Sequence, residues 1–280
     1  MGSMWSAAGQ IRRAVAELRP AIVHCHGLRS FWATRVLGRC EAHLTLHGTG
    51  AAGDDPPGYR QLRNAALRSL PRLAEVAYSA VPGLPPPWVF APHVSPRIES
   101  LEVLPPAPAG APVLWLGRLD DPKLPHQLVD ALLMSRDSGV RGLVAGSGPL
   151  ERGLREHVER TGAPLELLGH RDDVDDLLRR CSAVVLLSRF EAVPFALTEA
   201  MWAGRPVIAS NLPGTRWLAG GESHGVTLVG GVEDLAAALV RLADPQTSAE
   251  QGRRAAARVR ALLAPGTPWP QIEAEYCRRI

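Results

Sequence analysis

Along the 280-residue chain, short apolar and β-branched runs alternate with longer segments whose apolar positions recur every three to four residues. That alternation is the mark of strands feeding helices in parallel βα units. Four strands are predicted in the first part, at AIVHCH (21–26), AHLTLH (42–47), EVAYS (75–79) and WVFAP (88–92). Six more follow, at PVLWLG (112–117), GLVAG (142–146), LELLG (165–169), AVVLLS (183–188), PVIAS (206–210) and VTLV (226–229). Between the later strands, DPKLPHQLVDALLMSRDSG predicts a helix closing on Gly139, and PLERGLREHVERTG one that opens at Pro149 and closes on Gly162. The stretch LPPAPAGAP (104–112) separates the two series and suits neither a helix nor a central strand. The expectation is an α/β chain with a first domain at 1–104, a linker at 105–112, a second domain at 113–264 and a closing segment at 265–280.

Composition narrows the function classes. At 46% hydrophobic residues the chain can bury one large core or two modest ones. A formal charge of +3, without a run of five like charges, gives no electrostatic footprint for nucleic acid. The charge is uneven: residues 1–80 hold ten Arg against five acidic residues, a net +5, which leaves −2 for the remainder. A basic first part suits an anionic acceptor or a membrane surface, and equally Arg on solvated helix faces. Only one of the 31 basic residues is a lysine, Lys123, and the Arg, Ala, Gly and Pro bias points to a GC-rich bacterial genome. The four cysteines are scattered, without zinc-site pairs or the density of a secreted scaffold, which fits reduced thiols in a cytoplasm. The longest apolar runs, such as AVVLL (183–187), fall far short of the roughly 20 residues of a membrane span.

The candidate chemistry lies where strands end. In SRFEAVPFALTEAMWAGRPVIAS (188–210), a buried strand leads through a loop carrying Glu191 into an apolar helix that begins at Pro194, stops at Gly204 and encloses Glu199. A helix start at the carboxyl edge of a parallel sheet suits a phosphate. An unpaired buried carboxylate is costly, so Glu199 requires either ligand hydroxyls or a cation such as Arg205. In WLGRLDDPKLP (115–125), Arg118 and Lys123 follow a strand directly, as a diphosphate clamp or as surface charges at a helix start. Each opposite-charge pair at ~4 Å is worth about 4 kcal/mol at an effective dielectric of ~20, before desolvation. VAGSGPLE (144–151) carries Gly146 and Gly148 between a strand and a helix but lacks the third glycine of a dinucleotide fingerprint, so a tight turn competes with phosphate contact. His26 and His47 close two strands of the first part. They read as cleft-lining hydrogen-bonding groups or as structural histidines; in a strand His24 and His26 share a face that Cys25 does not, which argues against a metal cluster.

Together, the ordered segments LGRLDDPK, AGSGPLERGLREHVERTG and LGHRDDVDDLLRRCSAVVLLSRFEAVPFALTEAMWAGRPVIASNLPG resemble the retaining glycosyltransferases of family 4. The resemblance implies a GT-B fold, two Rossmann-like domains with parallel sheets facing a cleft, the first reduced in size and truncated at its amino end. It implies glycosyl transfer from a nucleoside-diphosphate sugar to a hydroxyl acceptor (a secondary metabolite, glycan or lipid-linked sugar), without a cofactor or metal. The alternative is a catalytically silent nucleotide-sugar-binding or regulatory subunit. By the same resemblance Glu191 contacts the donor sugar, Glu199 the ribose hydroxyls, Arg118 and Lys123 the diphosphate, and Phe195 and Ala196 the diphosphate through their N–H groups. Backbone at His170 and Arg171 meets the base, Gly148 belongs to the donor site, and His47 and His26 approach from the first domain. Leu124 stands where that family usually has glycine. The closing PWPQIEAEYCRRI, with Trp269, resembles a helix crossing back to the first domain. An incomplete first sheet implies a homodimer or partner subunit, and the location expected is cytoplasmic, with the inner membrane face as a second site of contact.

Overall fold

The computed structural model describes residues 2–26, 31, 34, 41–47, 61, 65, 67–69, 72, 74, 76–84, 86–221, 224–264, 270, 272, 274 and 277. Trp269 lies outside the described residues. The chain divides into two compact units, one of residues 1–93 with 266–280 and one of residues 94–265.

In the first unit, helix α1 (Gly2–Leu18) precedes β1 (Ile22–His26), β2 (Glu41–Leu46), β3 (Val76–Ser79) and β4 (Trp88–Phe90). These four described strands pair in chain order, all parallel. Ala42 to Leu46 of β2 are buried on both faces, as expected of a central parallel strand covered on each side. Cys25, Phe31, Leu44, Leu67 and Trp88 form its core, and the Trp88 indole donates to Leu67 O at 2.6 Å. Ile272 packs with Tyr78 and Ala91.

The second unit follows the βα rhythm read from the sequence: β5 (Val113–Leu116), α2 (His126–Met134), β6 (Gly142–Ala145), α3 (Glu151–Thr161), β7 (Leu165–Gly169), α4 (Val174–Arg180), β8 (Ala183–Leu186), α5 (Phe195–Trp202), β9 (Val207–Ser210), α6 (Pro213–Ala219), β10 (Val226–Val229), α7 (Val232–Ala243) and α8 (Pro245–Leu263). Its sheet order is β10-β9-β8-β5-β6-β7, with every pairing parallel. The apolar runs of β5, β6 and β8 are buried end to end, because helices cover both faces of the sheet. The order reverses between β5 and β8, which makes their carboxyl ends the topological switch point of a doubly wound sheet.

Two expectations shift. The division between units falls at His93/Val94 rather than after residue 104. Residues 101–105 are tied to the second unit by hydrogen bonds: Trp202 Nε1 to Leu101 O (3.2 Å), Leu104 N to Ala203 O (3.0 Å) and Arg205 Nη1 to Pro105 O (2.8 Å). The single helix expected to open at DPKLP is also broken. A short 3-10 turn at Asp121–Lys123 ends on Leu124 at φ 49°, and α2 starts only at His126. Pro125 bars the preceding residue from the right-handed helical region, so the chain turns there instead.

Candidate functional site

At the switch point lies a cavity of about 350 Å³. Arg118 and Gly117 reach it from the end of β5, Gly146 and Ser147 from β6, His170 and Arg171 from β7, and Phe195, Ala196 and Glu199 from α5. Six of the eleven residues assigned a site role from the sequence therefore converge on one hollow. Its floor is set by close backbone packing. A Cβ added at Gly146 would stand 1.8 Å from Gly117 O, so only glycine lets the two loops touch. Gly148 does not line the cavity; a Cβ there would meet Leu119 O at 2.4 Å, and Leu119 N–H donates to Ser147 O at 3.0 Å. Gly148 thus interlocks the loops, while Gly117, Gly146 and Ser147 face the cavity in its stead.

Beside the cavity, the loops after β5 and β8 clasp one another. The Lys123 ammonium pairs with Glu191 Oε1, both side chains largely buried. Arg189 Nη1 donates to Asp121 Oδ2 at 2.6 Å, and Ser188 Oγ and Arg189 N both donate to Pro122 O at 2.8 Å. The lone lysine is therefore answered by the first glutamate of the motif, and neither lines the cavity. Arg118 is 78% exposed, its Nε 3.2 Å from Asp120 Oδ2, whose other oxygen is buried with no partner among the described residues. That leaves the guanidinium open to an anion. The Glu191 loop is backed by Gly214 in the first turn of α6, where a Cβ would lie 1.2 Å from Ala192 O. Sequence pattern alone gave Gly214 no role, since the contact crosses from one βα loop to another.

Glu199 is 9% exposed and is not paired with Arg205. Its Oε1 accepts from Ser95 Oγ at 2.5 Å, and its Oε2 lies 3.7 Å from Arg97 Nη1, whose Nη2 donates to Asp175 Oδ1 at 2.5 Å. Arg205 is buried and donates to three backbone carbonyls, those of Leu178, Arg179 and Pro105, at 2.7, 3.3 and 2.8 Å. Burial lowers its pKa, because the carbonyls replace water without supplying a counter-charge. Ser95 and Arg97 carried no sequence signal, since both lie in a segment expected to belong to the first domain. Asp173 grips Arg171 through two bonds of 2.8 and 2.6 Å, and His170 Nε2 lies 3.3 Å from Asp172 Oδ1. These contacts hold the loop after β7 that borders the cavity.

In the first unit, the carboxyl edge of the sheet gathers histidines. His26 Nδ1 and His47 Nε2 are 2.9 Å apart, and His47 Nδ1 and His93 Nδ1 3.3 Å apart. His24 stacks on His26 at 4.8 Å between ring centroids and shares a 2.6 Å hydrogen bond with Thr45 Oγ1. Burial, and then the neighbouring imidazoles, lower the pKa of His24 to about 4, and the same causes lower those of His47 and His93. These rings are neutral at pH 7. His93 escaped the sequence reading although it too follows a strand, because two residues separate it from Phe90 and no glycine marks it. Among the described residues, no group of three or more His, Cys, Asp or Glu is disposed to hold a metal ion, and no helix is long and apolar enough to cross a membrane.

Residues 111–244 match the family described as glycosyl transferases group 1. Over 106 residues the chain is 31% identical to the UDP-Gal:alpha-D-GlcNAc-diphosphoundecaprenol alpha-1,3-galactosyltransferase of Escherichia coli, a match covering 36% of this chain and 27% of that protein. The chain spans about a third of the length of the curated relatives it matches, 27% to 37%. Sucrose-phosphate synthase from Thermosynechococcus elongatus superposes with a TM-score of 0.81 at 20% identity, over 99% of this chain and 78% of that one. HepE of Anabaena, solved in complex with UDP, gives 0.71 at 18% identity over 91% and 77%. The fold is of the GT-B kind, two parallel-sheet α/β domains.

Proposed function

We propose that this protein transfers a glycosyl group from a nucleoside-diphosphate sugar to a hydroxyl acceptor, with retention and without a metal ion. The observation that carries the reading is the cavity at the switch point, where an exposed guanidinium, the amino end of α5 and a buried carboxylate surround one space. The diphosphate lies against the N–H groups of Phe195 and Ala196 and meets Arg118; Glu199, already oriented by Ser95 and Arg97, accepts from the ribose hydroxyls. Backbone around His170 and Arg171 borders the base. As the bond from the anomeric carbon to phosphate breaks, its electron pair stays on the diphosphate, whose charge Arg118 and Lys123 neutralise. The acceptor oxygen attacks from the same face and its proton passes to the departing phosphate. Glu191, positioned by Lys123, orients the sugar; the family resemblance adds His47 to that role. Two cations and a helix start supply the charge neutralisation that a divalent ion provides elsewhere, which is the basis for the metal-independent reading.

The UDP of HepE and the UDP-Gal in the name of the E. coli relative make uridine diphosphates the first probes. That relative's name also supports including diphosphate-linked lipid sugars, and with them the inner membrane face, in the acceptor screen. Thermal shift against a panel of nucleoside diphosphates and their sugars should give a rise in Tm that grows with ligand concentration. The anomeric configuration of the product, read by NMR, decides retention, and activity undiminished by a chelator decides metal independence. A flat panel at millimolar concentration would remove the donor assignment.

A second reading, a donor-binding subunit without turnover, is favoured by the Lys123–Glu191 pair, in which the two groups already neutralise each other. Nucleotide binding without hydrolysis or transfer across the acceptor screen would select it. Among the described strands β1 forms an edge of the four-stranded sheet, which supports a homodimer or partner subunit covering that edge. Light scattering at the mass of one chain, 30.0 kDa, would count against the homodimer.

A further inference from the structure

The three imidazoles at the carboxyl edge of the first sheet have a hydrogen-bonding logic of their own. His47 uses both ring nitrogens, Nε2 towards His26 and Nδ1 towards His93. A neutral imidazole has one donor and one acceptor nitrogen. In the neutral row, therefore, both bonds run in one direction, and reversing one requires reversing the other. With a single added proton the geometry is satisfied another way, by a cationic His47 donating to Nδ1 of both neighbours. A second proton would place cations side by side at hydrogen-bond distance.

We propose that His26, His47 and His93 form a one-proton site centred on His47, in which His93 is a positioning residue that makes the state of His47 a property of the row. Facing the row, His24 of β1 stacks on His26, and His43 of β2 and Tyr78 of β3 lie 6.3 and 5.8 Å from the His24 ring; Glu41 is 3.8 Å from His43. Added positive charge on these neighbouring histidines disfavours a second uptake. Burial and the neighbouring imidazoles lower the pKa of His47 and of His93, the direction expected where adjacent rings compete for one proton. On the reading that His47 orients a donor sugar, which this proposal deepens and on which only its kinetic arm rests, protonation changes the charge that His47 presents to that sugar, since both its nitrogens are held by the row in either state.

The test is a pH titration of the whole chain labelled with ¹⁵N-histidine. In the wild type the three rings respond in one shared step that takes up one proton, with further uptake only at distinctly lower pH. His93→Phe removes one acceptor from the cation. Because bonds to a charged donor are about twice as strong as neutral ones, the His47 midpoint falls by about one pH unit. His93→Asn places an amide oxygen near the former Nδ1 and restores most of that shift. Three independent titrations, or a His47 midpoint unmoved by His93→Phe, would overturn the proposal. The acid limb of the transfer rate should move with the NMR midpoint. If no transfer is detected, the titration still decides the row, so failure of the enzyme reading and failure of the proton site remain distinct results.

Discussion

At the carboxyl edge of the second sheet the side chains carry permanent charge, and much of it is answered within the unit: Lys123 by Glu191, Arg189 by Asp121, Arg171 by Asp173, and Glu199 by Ser95 and Arg97. The carboxyl edge of the first sheet brings imidazoles within hydrogen-bonding and stacking distance of one another. A pre-paired ionic site costs little to leave empty and is preorganised when an anion arrives, because the protein has already supplied the reorganisation that water would otherwise require. Burial and the neighbouring rings lower the pKa of His24, His47 and His93, so these imidazoles gain charge only as pH falls. The donor-side edge should therefore respond strongly to removal of single side chains and weakly to pH, and the histidine edge the reverse.

The largest effect that would sharpen this contrast is expected at the clasp. Lys123→Met and Glu191→Gln should each reduce transfer by about 10²–10³-fold, the cost of losing one preorganised charge. The double variant should lose less than the product of the two, since the partners act as a unit. Wild-type turnover in either single variant would break the comparison at its strongest point. Next is Gly214→Ala. With Ala192 O only 1.2 Å from the added Cβ, the Glu191 loop must move, and a stability loss of about 1–3 kcal/mol should appear in urea unfolding together with reduced turnover. Gly153→Ala, on a helix with nothing within 4 Å of the new Cβ, should instead gain about 0.5–1 kcal/mol. A similar response of both variants to substitution would remove the packing argument.

Smaller effects follow at Glu199. Ser95→Ala removes a hydrogen bond to a buried carboxylate and should weaken nucleoside diphosphate binding about tenfold by calorimetry, roughly 1.5 kcal/mol. Glu199→Ala should weaken it further while leaving turnover of bound donor closer to normal. An unchanged affinity in both would detach Glu199 from the ribose. The remaining effect belongs to the other edge and is read as a function of pH. His24 has a folded-state pKa of about 4 against 6.5 in the unfolded chain, so between those values the unfolded state binds more protons. Stability is then full above pH 6.5 and declines as pH falls towards 4. His24→Gln, which keeps a donor near Thr45, should flatten the Tm profile across that window; an unaltered profile would show that His24 is not its source.

Much of this organisation could be read directly along the chain. All ten strands expected from apolar runs are present, because a strand buried on both faces must be apolar throughout and a βα rhythm leaves few other arrangements. The convergence of Arg118, Glu199 and the helix start on one cavity was legible because they follow strand ends, which a parallel sheet gathers on one edge. What was not legible depends on contacts between distant segments. Arg205 seemed the natural partner of Glu199 six positions away, yet its side chain caps the carbonyls of Leu178, Arg179 and Pro105. The partners of Glu199 come from residues 95 and 97, over a hundred positions earlier.

Period and punctuation along the chain determined the strands, their parallel arrangement and the edge where chemistry gathers, since these follow from local hydrogen bonding and from which face must be buried. Only the folded molecule decided who answers whom: that Lys123 meets Glu191, that Gly214 makes room for the Glu191 loop, and that His93 completes a row with His26 and His47. Electrostatic compensation and steric fit act through space within a few ångströms, and sequence separation carries no record of that distance.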